Sequence, residues 1–127
     1  MKDLDSKVAL VTGSSQGLGR VIAHRLAAEG CTVIVNCASH IEKAQAVVKE
    51  ITDAGHKAEP CRADVSNEQV VREMFRGFAA RYGGIDILVN NARVDPYSRQ
   101  PDTSDSDWWD RVIQINLKGT YLCSQAF

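Results

Sequence analysis

Apolar residues follow two alternating rhythms along the chain. Val8-Ala9-Leu10-Val11 is a short unbroken apolar run ending at Thr12-Gly13, which predicts a strand buried on both faces. Past the glycines, Leu18, Val21, Ile22 and Leu26 recur at helical spacing as far as Gly30, a natural helix stop. Thr32-Val33-Ile34-Val35-Asn36 predicts a second strand. Ser39-x-x-Glu42 then reads as a capping box, opening a helix whose face carries Ile41, Ala44, Val48 and Ile51 and which ends near Gly55. Lys57 to Arg62 predicts a weaker third strand, followed by Ala63-Asp64-Val65. Ser66-x-x-Gln69 is a second capping box, and Val70, Met74, Phe78 and Tyr82 mark the helix it opens, closed by Gly83-Gly84. Ile85 to Asn90 predicts a fourth strand. After a loop with Pro96 and Pro101, a last helix starts around Ser104 or Asp105 and runs on toward Phe127.

Strands that alternate with helices of this length imply right-handed βαβ units and a parallel sheet. No repeat, linker or low-complexity tract divides residues 1–127, so they read as one domain. Tyr121 to Phe127 contains no Gly, Asn or Pro to stop a helix, and the apolar fourth strand would be an aggregation-prone edge if nothing followed it. The sequence therefore reads as stopping inside its fold.

Composition narrows the function classes. At 44% hydrophobic and 24% charged, the chain lies near the average for soluble domains, which disfavours disordered and fibrous classes. Its formal charge of −1 carries no footprint for nucleic acid or an anionic membrane. No stretch is apolar over the roughly 18–20 residues needed to span a bilayer. The first residues show no signal-peptide pattern, so a soluble, cytoplasmic protein is expected. Cys31, Cys37, Cys61 and Cys123 form no C-x-x-C pair, and His24, His40 and His56 add no zinc spacing, so no metal site is expected. Asp102, Asp105, Asp107 and Asp110 are the acids that helix N-termini collect.

The chemistry-bearing signal is Thr12-Gly13-Ser14-Ser15-Gln16-Gly17-Leu18-Gly19, between the first strand and the first helix. Phosphate is bound by backbone N–H groups and the positive end of a helix dipole at close range. Gly13 suits the tight turn out of the strand, Gly17 a close backbone approach to a pyrophosphate, and Gly19 close packing of helix on sheet. Within a βαβ unit this trio points to a dinucleotide. An acid at the end of the second strand would accept from an adenosine ribose and repel a 2′-phosphate. Asn36-Cys37-Ala38-Ser39-His40 holds none. Ser39 and its helix terminus, with the hydroxyls of Ser14 and Ser15 nearby, favour NADP(H), with NAD(H) the alternative.

The glycine loop, Asp64-Val65, Asn90-Asn91-Ala92 and Asn116-Leu117-Lys118-Gly119, in that order, make the whole chain resemble the short-chain dehydrogenase/reductase family, most like its 3-oxoacyl-acyl-carrier-protein reductases. The resemblance implies that Asp64 accepts from the adenine amino group, that Val65 packs beside the ring, and that Asn90 and Ala92 line the cofactor cleft. It implies that Asn116 is the catalytic asparagine holding a proton-relay water, although a structural hydrogen bond would satisfy that amide equally well. On an ideal helix Asn116 shares its face with Trp109, Val112, Ile113 and Thr120. The family's substrates are small carbonyl or alcohol compounds, and its members often pair through this helix, so a homo-oligomer is expected.

Two departures stand out. Arg93 follows Asn90-Asn91-Ala92 where the family has glycine: at positive φ it would be strained, its guanidinium could reach a cofactor phosphate or a substrate carboxylate, and plain surface solvation is the favoured reading. The family's Ser and Tyr-x-x-x-Lys are missing, because Tyr82, Tyr97 and Tyr121 are followed four residues on by Asp86, Pro101 and Gln125. The expectation is a Rossmann-like parallel sheet of order 3-2-1-4, truncated before the catalytic half, that does not catalyse alone. A non-enzymatic nucleotide-binding or interaction module is the alternative, and a methyltransferase-like domain a more distant one.

Overall fold

A computed structural model describes residues 2–127. A 3₁₀ turn at Lys2–Leu4 leads into β1 (Val8–Val11), α1 (Gly17–Ala28), β2 (Thr32–Cys37), α2 (Ile41–Asp53), β3 (Lys57–Arg62), α3 (Glu68–Tyr82) and β4 (Ile87–Val89). A second 3₁₀ turn, Pro96–Ser98, precedes α4 (Asp105–Ile113), a π-helical turn (Gln114–Gly119) and α5 (Thr120–Ala126). The four strands form one parallel sheet in the order β3-β2-β1-β4. This is the expected doubly wound arrangement.

Period-2 alternation sorts the strand side chains between two faces. Ala9 and Val11 of β1 and Val33 and Val35 of β2 pack with Ala23 and Ala27 of α1 and Ala44, Val47 and Ile51 of α2. Val8, Leu10 and Ile34 point the other way, onto Met74 and Phe78 of α3. Val71 of α3 also meets Leu122 and Cys123 of α5. Two-sided burial explains the apolar runs Val8–Val11 and Val33-Ile34-Val35, which give way to the buried Thr12 and Asn36 at the carboxyl ends of the strands. Pro60 is tolerated because β3 is an edge strand, where a missing N–H breaks no ladder.

Helix starts depart from the capping boxes. The cap of α2 is His40, without a side-chain hydrogen bond, not Ser39. The cap of α3 is Asn67, whose Oδ1 accepts from Val70 N at 3.1 Å, not Ser66. Ser66 is instead drawn into Asp64, whose Oδ1 accepts from Ser66 N at 2.9 Å and Ser66 Oγ at 2.7 Å. Ser104 caps α4 as expected, accepting from Asp107 N. Gly83, in the left-handed region, ends α3. Backbone strain at Arg93 is corrected: among the described non-glycine residues only Ser6 has positive φ.

A π turn, not an ideal α-helix, carries Asn116. One wide turn shifts the phase of everything after it. Trp109 is 67% exposed, and Asn116, exposed as well, accepts from Val94 N in the loop after β4.

Candidate functional site

The site grows from the ends of β1, β2 and β4. Gly13 leaves β1 with a φ of 60°, and a Cβ there would lie 2.8 Å from Ala92 Cα, so only glycine fits both the turn and the neighbouring loop. Asn36, 1% exposed, fixes that turn from the side. Its Oδ1 accepts from Gly13 N at 3.0 Å, and its Nδ2 donates to Cys61 O and Ala63 O, both at 3.2 Å. Thr12 fixes it from the other side. Its Oγ1 accepts from Asn91 N and Ala92 N, each at 3.0 Å, while Asn91 Nδ2 donates to Thr12 O at 2.9 Å and Gly13 O at 3.0 Å.

Ser14 faces inward and is fully buried. Its hydroxyl donates to Val11 O at 2.6 Å and accepts from Asn36 N at 3.1 Å, so it braces the loop and is not free to meet a ligand. Gly19 lies beneath the turn, where a Cβ would collide with Asn91 Nδ2 and sit 2.8 Å from Gly13 O. Gly17 is the opposite case. Its φ is 59°, and a Cβ there would meet no atom within 4 Å. It opens onto a cleft of about 800 Å³, within the usual range for ligand sites.

Gly17 is also the first residue of α1, and the cap residue Gln16 supplies no side-chain hydrogen bond. The N–H groups of the first turn therefore remain available to an anion, with the helix dipole behind them. Ser15, Gln16 and Leu18 line the same cleft. Ser39, Asp64, Val65 and Ala92 line it too, Asp64 with one carboxylate oxygen held by Ser66. Val65 is buried, its Cγ2 2.7 Å from where a Cβ on Gly119 would be, which explains a glycine inside a helical segment.

Two expected residues sit elsewhere. Asn90 is turned toward α5, where its Nδ2 donates to Ser124 Oγ at 3.0 Å, and the cleft is lined by Asn91 and Ala92 instead. Asn116 is exposed, on the π turn, and its Oδ1 accepts from Val94 N at 2.8 Å. That bond ties the last helical segment to the loop after β4. π turns recur at functional sites because they aim a side chain that an α-helix would misplace.

Four positions are missed by the sequence reading, and a fifth, Arg93, stands there as a departure from the family pattern. Thr12 and Asn91 build the corner, and their signal was available: both stand inside the motifs. Lys43 lines the cleft four residues past Ser39, one turn into α2, and Arg93 and Arg111 line its other end. Among the described residues no group of three His, Cys, Asp or Glu is placed to hold a metal ion, and no helix is long and apolar enough to cross a membrane.

This geometry has known counterparts. Residues 7–127 match the family model for short chain dehydrogenase. The chain belongs to the short-chain dehydrogenase family. It is 42% identical over 120 residues to 3-oxoacyl-[acyl-carrier-protein] reductase FabG of Staphylococcus epidermidis, covering 94% of this chain and 49% of that protein. It is 40% identical over 123 residues to the (2S)-[(R)-hydroxy(phenyl)methyl]succinyl-CoA dehydrogenase subunit BbsD of Thauera aromatica, covering 97% of this chain and 49% of the relative. Among solved structures, a metagenomic short-chain oxidoreductase in complex with NADP superposes with a TM-score of 0.89 at 37% identity, over 99% of this chain and 57% of that one. This short-chain dehydrogenase chain thus spans about half the length of the curated relatives it matches.

Proposed function

We propose that this chain is the cofactor-binding half of an NADP(H)-dependent short-chain oxidoreductase acting on a carbonyl or alcohol substrate, and that it does not turn substrate over alone. The observation that carries the reading is the corner at Gly17. A left-handed glycine with open space in place of a Cβ, at the uncapped head of α1 and at the carboxyl ends of parallel strands, is the physical requirement for clasping a diphosphate.

Other residues support the finer points. Asn36, which also lines the cleft, and Thr12 hold the corner through their hydrogen bonds, so its amides are preorganised. Asp64 offers an acceptor and Val65 an apolar wall for an adenine. The preference for NADP(H) draws on the absence of an acid at the end of β2, and on Ser39, His40 and Lys43 around that end of the cleft. His40 gives α2 no side-chain cap, so the N–H groups of Ile41 and Glu42 add to the Lys43 ammonium as partners for a 2′-phosphate, the Lys43 N–H being held by His40 O at 3.0 Å. When bound, the nicotinamide would supply or accept a hydride. Asn116 keeps its side-chain N–H₂ unengaged among the described residues, a donor available to a relay water. The Ser and Tyr-x-x-x-Lys expected from the family are not in this sequence, which is the reason to propose inactivity.

Titration of the pure chain with NADPH and NADH tests this directly. The reading expects saturable NADPH binding, weaker NADH binding, and a narrowed gap in Lys43→Glu. Equal affinity for both cofactors would refute the NADP(H) preference, no binding of either would refute the whole reading, and turnover of a ketone and alcohol panel would refute the inactivity. A cytoplasmic location and a homo-oligomer belong to the same proposal. The second reading, a non-enzymatic interaction module, draws on one observation: Trp109, Leu117 and Tyr121 are 67%, 63% and 58% exposed along α4–α5, beside the unpaired edge of β4. Size-exclusion chromatography with and without NADPH separates the two, since a module keeps a defined stoichiometry that the cofactor does not change.

A further inference from the structure

The glycine corner and the β2 end account for a dinucleotide's phosphates, but the cleft continues toward α4, and two guanidinium groups line that end. Arg93 stands on the loop after β4 and Arg111 on the last turn of α4, with the apolar side chain of Ile115 one turn beyond. Arg20, Arg25, Arg72, Arg81 and Arg99 each sit on a carboxylate. Arg62, Arg76, Arg93 and Arg111 have no acid partner and no side-chain hydrogen bond among the described residues, and of these four Arg93 and Arg111 line the cleft.

The backbone around Arg93 is nonetheless fixed. Ala92 N donates to Thr12 Oγ1 at 3.0 Å just before it, and Val94 N donates to Asn116 Oδ1 at 2.8 Å just after it. The second bond also sets the loop against the segment that follows Arg111. A side chain left unengaged on a backbone pinned at both neighbours is prepared for a ligand, not merely solvated. Asp95, the acid nearest in sequence, is occupied by its own turn, its Oδ1 accepting from Tyr97 N at 2.9 Å.

We propose that Arg93 and Arg111 form an anion subsite at the α4 end of the cleft, which selects carbonyl or alcohol substrates bearing a carboxylate. A guanidinium fork matches a carboxylate through two parallel N–H···O bonds, and Ile115 offers an apolar contact for the adjoining carbon chain. The inference rests on the dinucleotide reading above, because it assigns to the substrate what the cofactor leaves uncovered.

Amide and guanidinium NMR signals of the isotopically labelled chain test it at low ionic strength. NADPH is added first, and its effect on Ser15 to Leu18 examines the dinucleotide reading by itself. Acetoacetate and its neutral analogue butan-2-one are then titrated in parallel, with and without NADPH. The subsite predicts saturable shifts at Arg93, Val94 and Arg111 for acetoacetate only, weakened about tenfold in Arg93→Gln and in Arg111→Gln, the usual loss for one charge-assisted bond. Well-dispersed spectra of both variants show that they fold. Equal responses to the two ketones, or variants that bind acetoacetate like the parent chain, overturn the subsite. So does competition between acetoacetate and NADPH accompanied by weaker NADPH binding in the variants, which would give the arginines to a cofactor phosphate. Loss of the NADPH response alone, with the acetoacetate response intact, refutes the dinucleotide reading and leaves the anion subsite standing.

Discussion

Replacing Asn36 by leucine removes a side chain of similar volume and all of its hydrogen bonds. In the structure the Oδ1 accepts from Gly13 N at 3.0 Å and the Nδ2 donates to Cys61 O and Ala63 O at 3.2 Å, with a longer approach of 3.4 Å to Cys37 O. Three well-placed bonds at about 1 kcal/mol each give about 3 kcal/mol, rising toward 5 kcal/mol because the orphaned groups stay buried. That is a large share of the roughly 5–15 kcal/mol that holds a domain together. Urea unfolding followed by far-ultraviolet circular dichroism should show the midpoint falling by about 2 M if the slope is near 1.5 kcal/mol per M.

Asn36→Asp sharpens the test. The acceptor for Gly13 N is kept, but the Nδ2 position now holds an oxygen against backbone carbonyls. Burial and those carbonyls favour the protonated carboxyl, so the folded state raises its pKa above the unfolded value of about 3.9. A raised carboxyl stabilises below the unfolded pKa and loses that contribution as pH rises through the folded pKa. The variant should thus approach the parent chain near pH 4 and lag it at pH 7, each compared at the same pH. A loss under about 1 kcal/mol for Asn36→Leu, or a pH-independent deficit for Asn36→Asp, would refute the bracing role.

Further outcomes follow from the glycines and thiols. Gly17→Ala should cost only about 1–2 kcal/mol in thermal unfolding, the strain of a Cβ at positive φ, while NADPH titration shows a much larger loss. Gly19→Ala should destabilise first, because its Cβ displaces the Asn91 amide from Thr12 O and Gly13 O. Gly119→Ala should cost about 1–3 kcal/mol through overpacking on Val65, with recovery in the double variant carrying Val65→Ala as the check. Burial pushes the Cys61 and Cys123 thiols up to about 11. Maleimide labelling should then be slow at neutral pH, and stability should fall above about pH 8.5, where unfolded thiols ionise and folded ones do not.

The scaffold was legible because period and punctuation agreed. β3 runs from Lys57 to Arg62 as read, and the parallel order follows from alternation with long helices. The gaps share a physical cause: they depend on which of several competent groups wins a contact. Ser39 and Glu42 had capping-box spacing, but the chain turns at His40. Ser66 lost its capping role to Asn67 because the Asp64 carboxylate engaged it first. In the site, the glycine spacing between a strand and a helix marks Gly13 for the tight turn and Gly19 for close packing, and both positions are too crowded for a Cβ, whereas Gly17 has open space there. Asn90 and Asn91 are adjacent amides that differ only in which way the strand end points them, and composition holds no trace of that choice. Lys43 and Arg111 are not singled out by the sequence because long cations look alike until a cleft collects them.

The wide turn at Gln114–Gly119 lets one continuous rod keep two appointments. Its upstream portion answers to the loop held by Asn116, and its downstream portion answers to Val71 through Leu122 and Cys123. Rewinding the same six residues at uniform α pitch would rotate the far end by about 100° relative to the near end. Either Leu122 and Cys123 would swing out of their seat, or Asn116 would release its loop. The wide winding, which absorbs one additional residue without turning the flanks, is what allows the two attachments to coexist.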